Sequence, residues 1–390
     1  MSNQFSIIYF SMSPYSEWAI EKKANRNWHV IKTLEKHPQV SQILTVDFLP
    51  FSFRRALRVL YRDRLRNRLG DTVFQNLTTR CAKVSEKVYA YTTIDSIFSL
   101  NSTIKRINET AQKLGFANRV AWSCVPLFAE YLDTTEHVLT VFDAVDNWAE
   151  HPTYAAYKQR LLKNYGMIGK KSDIIFSVAQ HIIDTLFPGH PHAHHIPNGV
   201  DAEHYRKPMP EPAELAAISH PRIGYVGVIQ KRVDLELIAR AAKERPNYQF
   251  IFVGPVWPDA DVSPVKELVN VHFISQQPYE SLPGFMQHFD VCVIPHTIDE
   301  FVKSMNPLKL YEYLAAGKPV VTTGVAGLEP FKGLVHVAQT PSAFISYLDQ
   351  ALTENSPDEV SARQQSADTH TWKSRIEAMV AIIDERLSSK

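Results

Sequence analysis

Short apolar runs alternate with stretches of helical spacing along the whole chain, and the alternation starts over once. The first series has runs at residues 5–10, 41–46, 87–91, 119–122, 138–142 and 174–178; the second begins after Asp201, with runs at 222–226, 249–253, 271–274, 291–294 and 319–322. A strand joined to the next through a helix pairs with it in parallel, and a parallel sheet must be covered by helices on both faces. The pattern therefore specifies an α/β chain with two parallel-sheet domains in tandem. The 390 residues suffice for both, at roughly 100 to 200 residues per domain. The joint falls in 187–212, rich in Pro and His, where Pro197, Asn198, Gly199 and Val200 make a turn. We expect a first domain over 1–197 and a second over 198–371. The segment 372–390, apolar at Trp372, Ile376, Met379, Val380 and Ile383, is expected to be a helix that packs back on the first.

Composition excludes several functions. Basic and acidic side chains number 42 and 41, a net charge of +1, so the chain lacks the broad basic face of a nucleic-acid protein. No apolar run approaches the roughly 18 residues of a membrane span, and the first residues have no signal-peptide pattern. A cytoplasmic protein is expected, its three cysteines reduced. One local bias stands out. From residue 54 to 68 there are seven Arg and one Asp, flanking an apolar stripe of Phe53, Leu57, Tyr61, Leu65 and Leu69. A basic amphipathic helix over 51–69, with Phe51 at its start, suits an anionic membrane surface and a peripheral location at the inner face of the cell membrane. A solvated helix packed by its stripe onto a sheet is the alternative.

Of 14 glycines only Gly70 and Gly115 precede residue 166, and the first strand-to-helix turn, 11–16, has none. A dinucleotide site needs glycine there, so the first domain is not expected to hold one. In the second domain the first strand runs into Gly224-Tyr225-Val226-Gly227-Val228-Ile229-Gln230-Lys231-Arg232, a glycine turn ending in two cations before a helix, which can hold a phosphate. Further on, Asn306-Pro307-Leu308-Lys309-Leu310-Tyr311-Glu312-Tyr313-Leu314-Ala315-Ala316-Gly317 reads as a short helix, with Pro at its start and Gly past its end. Glu312 falls among apolar neighbours. A carboxylate there either faces water or accepts hydrogen bonds from a polar group brought to it, such as a ribose diol.

This last stretch, continued by Lys318-Pro319-Val320-Val321, resembles the nucleotide-sugar signature of retaining GT-B glycosyltransferases, glycosyltransferase family 4 in particular. Ile196-Pro197-Asn198-Gly199-Val200-Asp201, the turn at Gly227, and Phe252-Val253-Gly254-Pro255 match as well. Phe142-Asp143-Ala144-Val145-Asp146-Asn147-Trp148 and Asn306-Pro307-Leu308-Lys309 are similar to a subgroup near the teichuronic acid and exopolysaccharide transferases. The resemblance implies two Rossmann-like domains with an interdomain cleft. It implies that Glu312 binds the donor ribose, that Arg232 with Lys231 neutralises the diphosphate, and that Lys309 is a second cation. Gly227, Gly254 and the backbone of Asn306, Pro307 and Leu308 would approach phosphate and sugar, and Asp143 would face the transferred sugar.

Two positions depart from the family pattern: Ser304 stands where a first Glu is usual, and Val228 where an Arg follows the turn glycine. Glu300, Lys303 and Asn306 are the candidates to replace the first Glu. The implied reaction is transfer with retention from a nucleoside diphosphate sugar to a glycan or lipid-linked acceptor in polysaccharide biosynthesis, with no metal or other cofactor. A nucleotide-sugar epimerase and a non-catalytic nucleotide-sugar-binding component of an assembly complex are the rivals. His190, His192, His194 and His195 have a spacing that can ligate a transition metal, but Pro188 and Pro191 break the scaffold, so a solvated hinge is expected. Cys124 is read as a structural thiol rather than a nucleophile.

Overall fold

A computed structural model describes residues 4–11, 13–20, 24–47, 61 and 69–390. The Arg-rich stripe expected over 51–69 lies outside the described residues, except for Tyr61 and Leu69. Among the described residues no helix is long and apolar enough to cross a membrane. The chain divides into two compact units, one of residues 1–196 and 376–390, the other of residues 197–375.

The first unit is built on nine strands: β1 (Phe5–Ser11), β2 (Val40–Asp47), β3 (Asp71–Gln75), β4 (Thr79–Lys83), β5 (Val88–Thr93), β6 (Arg119–Ser123), β7 (Leu139–Ala144), β8 (Ile174–Ser177) and β9 (Ala193–His195). They lie in the order β3-β4-β5-β2-β1-β6-β7-β8-β9. From β5 to β9 every pair is parallel, while β3 and β4 form an antiparallel hairpin at one edge. β1 is buried at every position, as a central parallel strand covered on both faces must be. On one face Ile8, Phe10, Leu44, Val46, Ala121 and Phe142 pack with Ile104, Ile107 and Tyr165 from helices Leu100–Lys113 and Lys158–Lys171. The hairpin has no counterpart among the apolar runs, because every residue of β3 is exposed and carries no apolar alternation. Polar contacts help to hold it: the Asn76 carboxamide oxygen accepts from the backbone N–H groups of Thr78 and Thr79, and buried Arg80 donates to the carbonyls of Leu69 and Gly70.

The second unit has six strands: β10 (Arg222–Val226), β11 (Gln249–Val253), β12 (Val271–Ile274), β13 (Val291–Ile294), β14 (Val320–Thr323) and β15 (His336–Ala338). Their order is β12-β11-β10-β13-β14-β15, all parallel. The chain leaves β10 toward β11 on one side and returns to β13 on the other. This is a topological switch point, and in open parallel sheets ligands bind beyond the carboxyl ends of the strands there. Two helices frame that end. Helix Leu235–Glu244 starts at Asp234, whose carboxylate accepts from Leu237 N–H at 2.8 Å. Helix Leu308–Ala315 starts after Pro307 and ends before Gly317, whose φ of +75° suits a residue without Cβ.

Candidate functional site

The site begins with two glycines at the carboxyl ends of adjacent strands. Gly227 follows β10 with φ +140° and Gly254 follows β11 with φ +150°. A Cβ on Gly254 would stand 2.1 Å from the Gly227 carbonyl oxygen, so only glycine lets the two turns close on each other. Gly227 in turn lies under the side chain of Lys309, which reaches across from helix Leu308–Ala315 with its ammonium 5.0 Å from the ring centre of Tyr225.

Arg232 enters from the same turn. In the amide orientation that satisfies both groups, the Gln230 oxygen accepts from its Nη2 at 2.7 Å and its Nε at 3.3 Å. Its Nη1 meets the Met305 sulfur, at 3.6 Å, and its guanidinium lies 5.9 Å from the Phe301 ring centre. Neither Arg232 nor Lys309 forms an ion pair with a carboxylate among the described residues. Two cations with no ion-pair partner among the described residues therefore flank the glycine turn at the switch point. Lys231, the other cation of the turn, is exposed.

Leu308 and Lys309 open their helix without a side-chain cap, so the N-terminal amides keep their hydrogen-bonding capacity. Asn306, just before, is engaged within the unit: its carboxamide oxygen accepts from Asn198 N–H at 2.8 Å and its carbonyl accepts from the Asn198 carboxamide. It is thus held as a brace between the 197–199 turn and the helix start. Ser304 is fully buried and donates to the Phe301 carbonyl at 2.7 Å, which closes the turn after helix Glu300–Lys303. Glu300 and Lys303 pair with each other at 2.6 Å on the surface.

Glu312 is half-buried one turn after Lys309. Burial pushes its carboxyl above the usual range; the hydroxyl of buried Tyr205 and the charge of Lys309 pull it back down. Tyr279, stacked on His204 with ring centres 4.1 Å apart, completes the surroundings. Neither Tyr205 nor Tyr279 was legible as a site residue, because each lies far from residue 312 in the chain. His296 was missed too. It follows β13 at the switch point, 1% exposed, and neither ring nitrogen has a protein partner among the described residues. Burial first, and then the charges of Lys309 and Arg232, keep its pKa well below the usual value, so the imidazole is neutral.

In the first unit Asp143, next to last in β7, is 0% exposed and is gripped by Arg26, which donates Nε at 3.2 Å and Nη2 at 3.0 Å. It presents no open carboxylate. Cys124 is buried, 3.2 Å from the Tyr9 hydroxyl, and desolvation with nearby Asp143 raises its pKa, so the thiol stays protonated and is no nucleophile. The expected histidine hinge is in part an edge strand: His195 contacts the Val178 carbonyl, and His190 contacts that of Ser172. One Asp-x-Asp triplet occurs, Asp259-Ala260-Asp261, exposed beyond β11, with Asp261 accepting from Ser263 N–H at 3.0 Å. Among the described residues no group of three or more His, Cys, Asp or Glu could hold a metal ion.

Residues 220–354 match the family described as Glycosyl transferases group 1. Over 264 residues, 65% of this chain and 64% of the relative's length, the chain is 25% identical to TuaH of Bacillus subtilis (strain 168), named as a teichuronic acid biosynthesis glycosyltransferase. Solved structures of the same fold include a sucrose-phosphate synthase from Thermosynechococcus elongatus (TM-score 0.71, 15% identity, 99% of this chain and 100% of that one). Anabaena HepE in complex with UDP (0.65, 14%, 99% and 100%) is another. A UDP-forming trehalose-phosphate synthase from Burkholderia xenovorans, in complex with glucose-6-phosphate, is similar too (0.66, 12%, 97% and 100%). The architecture is that of the GT-B glycosyltransferases.

Proposed function

We propose that this chain, whose residues 220–354 form a group 1 glycosyltransferase domain, moves a sugar with retention from a nucleoside diphosphate sugar to a glycan or lipid-linked acceptor in polysaccharide biosynthesis. The observation that carries the reading is the pair Arg232 and Lys309, two cations without a carboxylate partner, set about Gly227 at the carboxyl end of β10. A diphosphate seated there gains their charge together with the N-terminal amides of helix Leu308–Ala315. Negative charge grows on the leaving diphosphate in the transition state, so groups fixed in advance around it favour that state over the bound donor. Glu312 accepts from the ribose hydroxyls, and Gly227 and Gly254 let the backbone approach the phosphates. Lys231 adds charge at the rim.

Same-face attack needs the acceptor hydroxyl to lose its proton near the leaving group, and a donor phosphate oxygen takes it in this scheme. The cations of the chain supply the neutralising charge, and no metal is assigned a part. Asp143, held by Arg26, acts as a positioning group at the end of β7 rather than as a nucleophile. Asn306 braces the helix start and does not replace the first Glu of the family pattern. The likeness to a protein named for teichuronic acid biosynthesis supports a cell-surface polysaccharide as the product. The Arg-rich segment 51–69 would hold the enzyme at an anionic membrane where such acceptors are made.

Product analysis tests this. Purified enzyme is given a panel of nucleoside diphosphate sugars with and without a lipid-linked glycan, and the anomeric configuration of any product is read by NMR. A new bond with the donor's configuration supports the reading. A donor changed in the absence of acceptor shows an epimerase, and a donor bound but unchanged with every acceptor shows a binding component.

A further inference from the structure

His296 is buried in the second unit with both ring nitrogens unpaired among the described residues. Its backbone is fixed on both sides: its N–H donates to Thr323 Oγ at 3.1 Å, and its carbonyl accepts from the same hydroxyl at 2.7 Å. The next residue, Thr297, donates to the Arg232 carbonyl at 2.9 Å, and Asp234 N–H donates to the Pro295 carbonyl at 2.7 Å. The strand end is thereby tied to the glycine turn, and the ring is delivered to one place, with Tyr225 6.3 Å away. In that place neither nitrogen finds a partner. A buried polar group left unpaired costs stability, whereas a phenyl ring would fill the space without that cost. The charges of Lys309 and Arg232 depress its protonation, and neither of these has an ion-pair partner among the described residues.

Resting on the nucleotide-sugar reading above, we propose that His296 is a donor-contacting residue, a neutral imidazole whose N–H binds the β-phosphate end of the nucleoside diphosphate between Arg232 and Lys309. The anion draws the two cations onto its oxygens and gives the imidazole the partner that the protein withholds. A neutral donor suits a third position, since a third cation at such short range would be repelled by the other two. A nucleoside monophosphate does not reach this contact, so His296 distinguishes diphosphate from monophosphate.

The test is calorimetry on the full chain with UDP, GDP and ADP and the matching monophosphates, using wild type, His296→Phe and His296→Asn. With whichever base binds wild type, His296→Phe is expected to bind the diphosphate about tenfold more weakly, the worth of one hydrogen bond, and the monophosphate as well as before. Its melting temperature should hold or rise, because the ring volume is kept and two unpaired nitrogens are gone. His296→Asn, which keeps an N–H, should recover part of the affinity. Equal losses for both nucleotides, or an unchanged diphosphate affinity, would overturn the proposal while leaving the nucleotide-sugar reading in place. If wild type binds no nucleoside diphosphate, that reading falls and this one with it.

Discussion

Lys309 crosses Gly227 so closely that a Cβ on the glycine would stand 2.4 Å from Lys309 Cε and 2.8 Å from its Nζ. The ammonium reaches the carboxyl end of β10 only because position 227 has no side chain. Gly227→Ala is therefore expected to push Lys309 aside and to strain a backbone at φ +140° that L-residues rarely adopt, costing about 1 to 3 kcal/mol. Thermal unfolding should show a loss of that order, and nucleoside diphosphate affinity should fall at least tenfold at temperatures where the variant is folded. An alanine variant with wild-type affinity would show that Lys309 need not lie there.

Glu312 couples stability to binding with opposite signs. Burial raises its carboxyl pKa above the unfolded value, so the folded chain holds the proton more tightly, and the stability this confers is present in acid and lost as pH rises through the folded pKa. Where it is ionised, the carboxylate destabilises the free protein. Glu312→Gln is expected to raise the melting temperature at pH 7 and to have a smaller effect at pH 4. The same substitution should weaken nucleotide binding by about 1.5 to 3 kcal/mol for each charge-assisted ribose bond lost. Wild-type affinity should fall as Glu312 is protonated. A variant that is destabilised at pH 7, or that binds as before, would contradict this assignment.

The glycine turn, the Pro-to-Gly helix and Glu312 were readable because each is local: 227 to 232 and 306 to 317 are contiguous stretches whose residue types dictate their geometry. The alternation of apolar runs located most strands for the same reason. What escaped was non-local. The Arg26–Asp143 pair joins residues 117 apart, and Tyr205 meets Glu312 from another helix, so no spacing rule connects them. His296 is one of 16 histidines, and what sets it apart, a buried ring with both nitrogens unpaired among the described residues, appears only in the fold. Strand β3 of the hairpin is exposed throughout, and the hairpin's signal lies in an Asn side chain capping a turn rather than in hydrophobic periodicity.

Breaking the Arg26–Asp143 pair should harm the first unit severely. Both partners are buried, and a lone charge left behind costs about 3 to 5 kcal/mol, more than the pair itself is worth. Arg26→Met and Asp143→Asn should each lower the denaturation midpoint of the first unit, and the double variant should be less damaged than the sum. Additive losses would mean that the two side chains do not act as a pair. If Asp143 is a positioning group, Asp143→Asn should also reduce turnover without changing diphosphate affinity.

For the segment 51–69, replacing Arg54, Arg55, Arg58 and Arg62 with Gln should reduce cosedimentation with anionic vesicles. Each Arg near a negative surface is worth about 1 kcal/mol at low salt, screened over roughly 8 Å at physiological ionic strength. Wild-type binding is thus expected to be weak and salt-sensitive, and activity on a soluble acceptor mimic should survive the substitutions. Intact cosedimentation of the variant would leave the Arg cluster a solvated face.

The most direct test of the account is nucleoside diphosphate sugar binding and turnover by Arg232→Ala, Lys309→Ala and their double variant, with Lys231→Ala as the exposed comparison. Each single variant should lose turnover at saturating donor, Arg232→Ala more than Lys231→Ala, because a guanidinium holds two diphosphate oxygens at once. The double variant should bind donor at least a hundredfold more weakly while remaining folded, since neither cation has a carboxylate partner to strand. A folded double variant that binds and turns over donor like the wild type would place the diphosphate elsewhere and contradict the site.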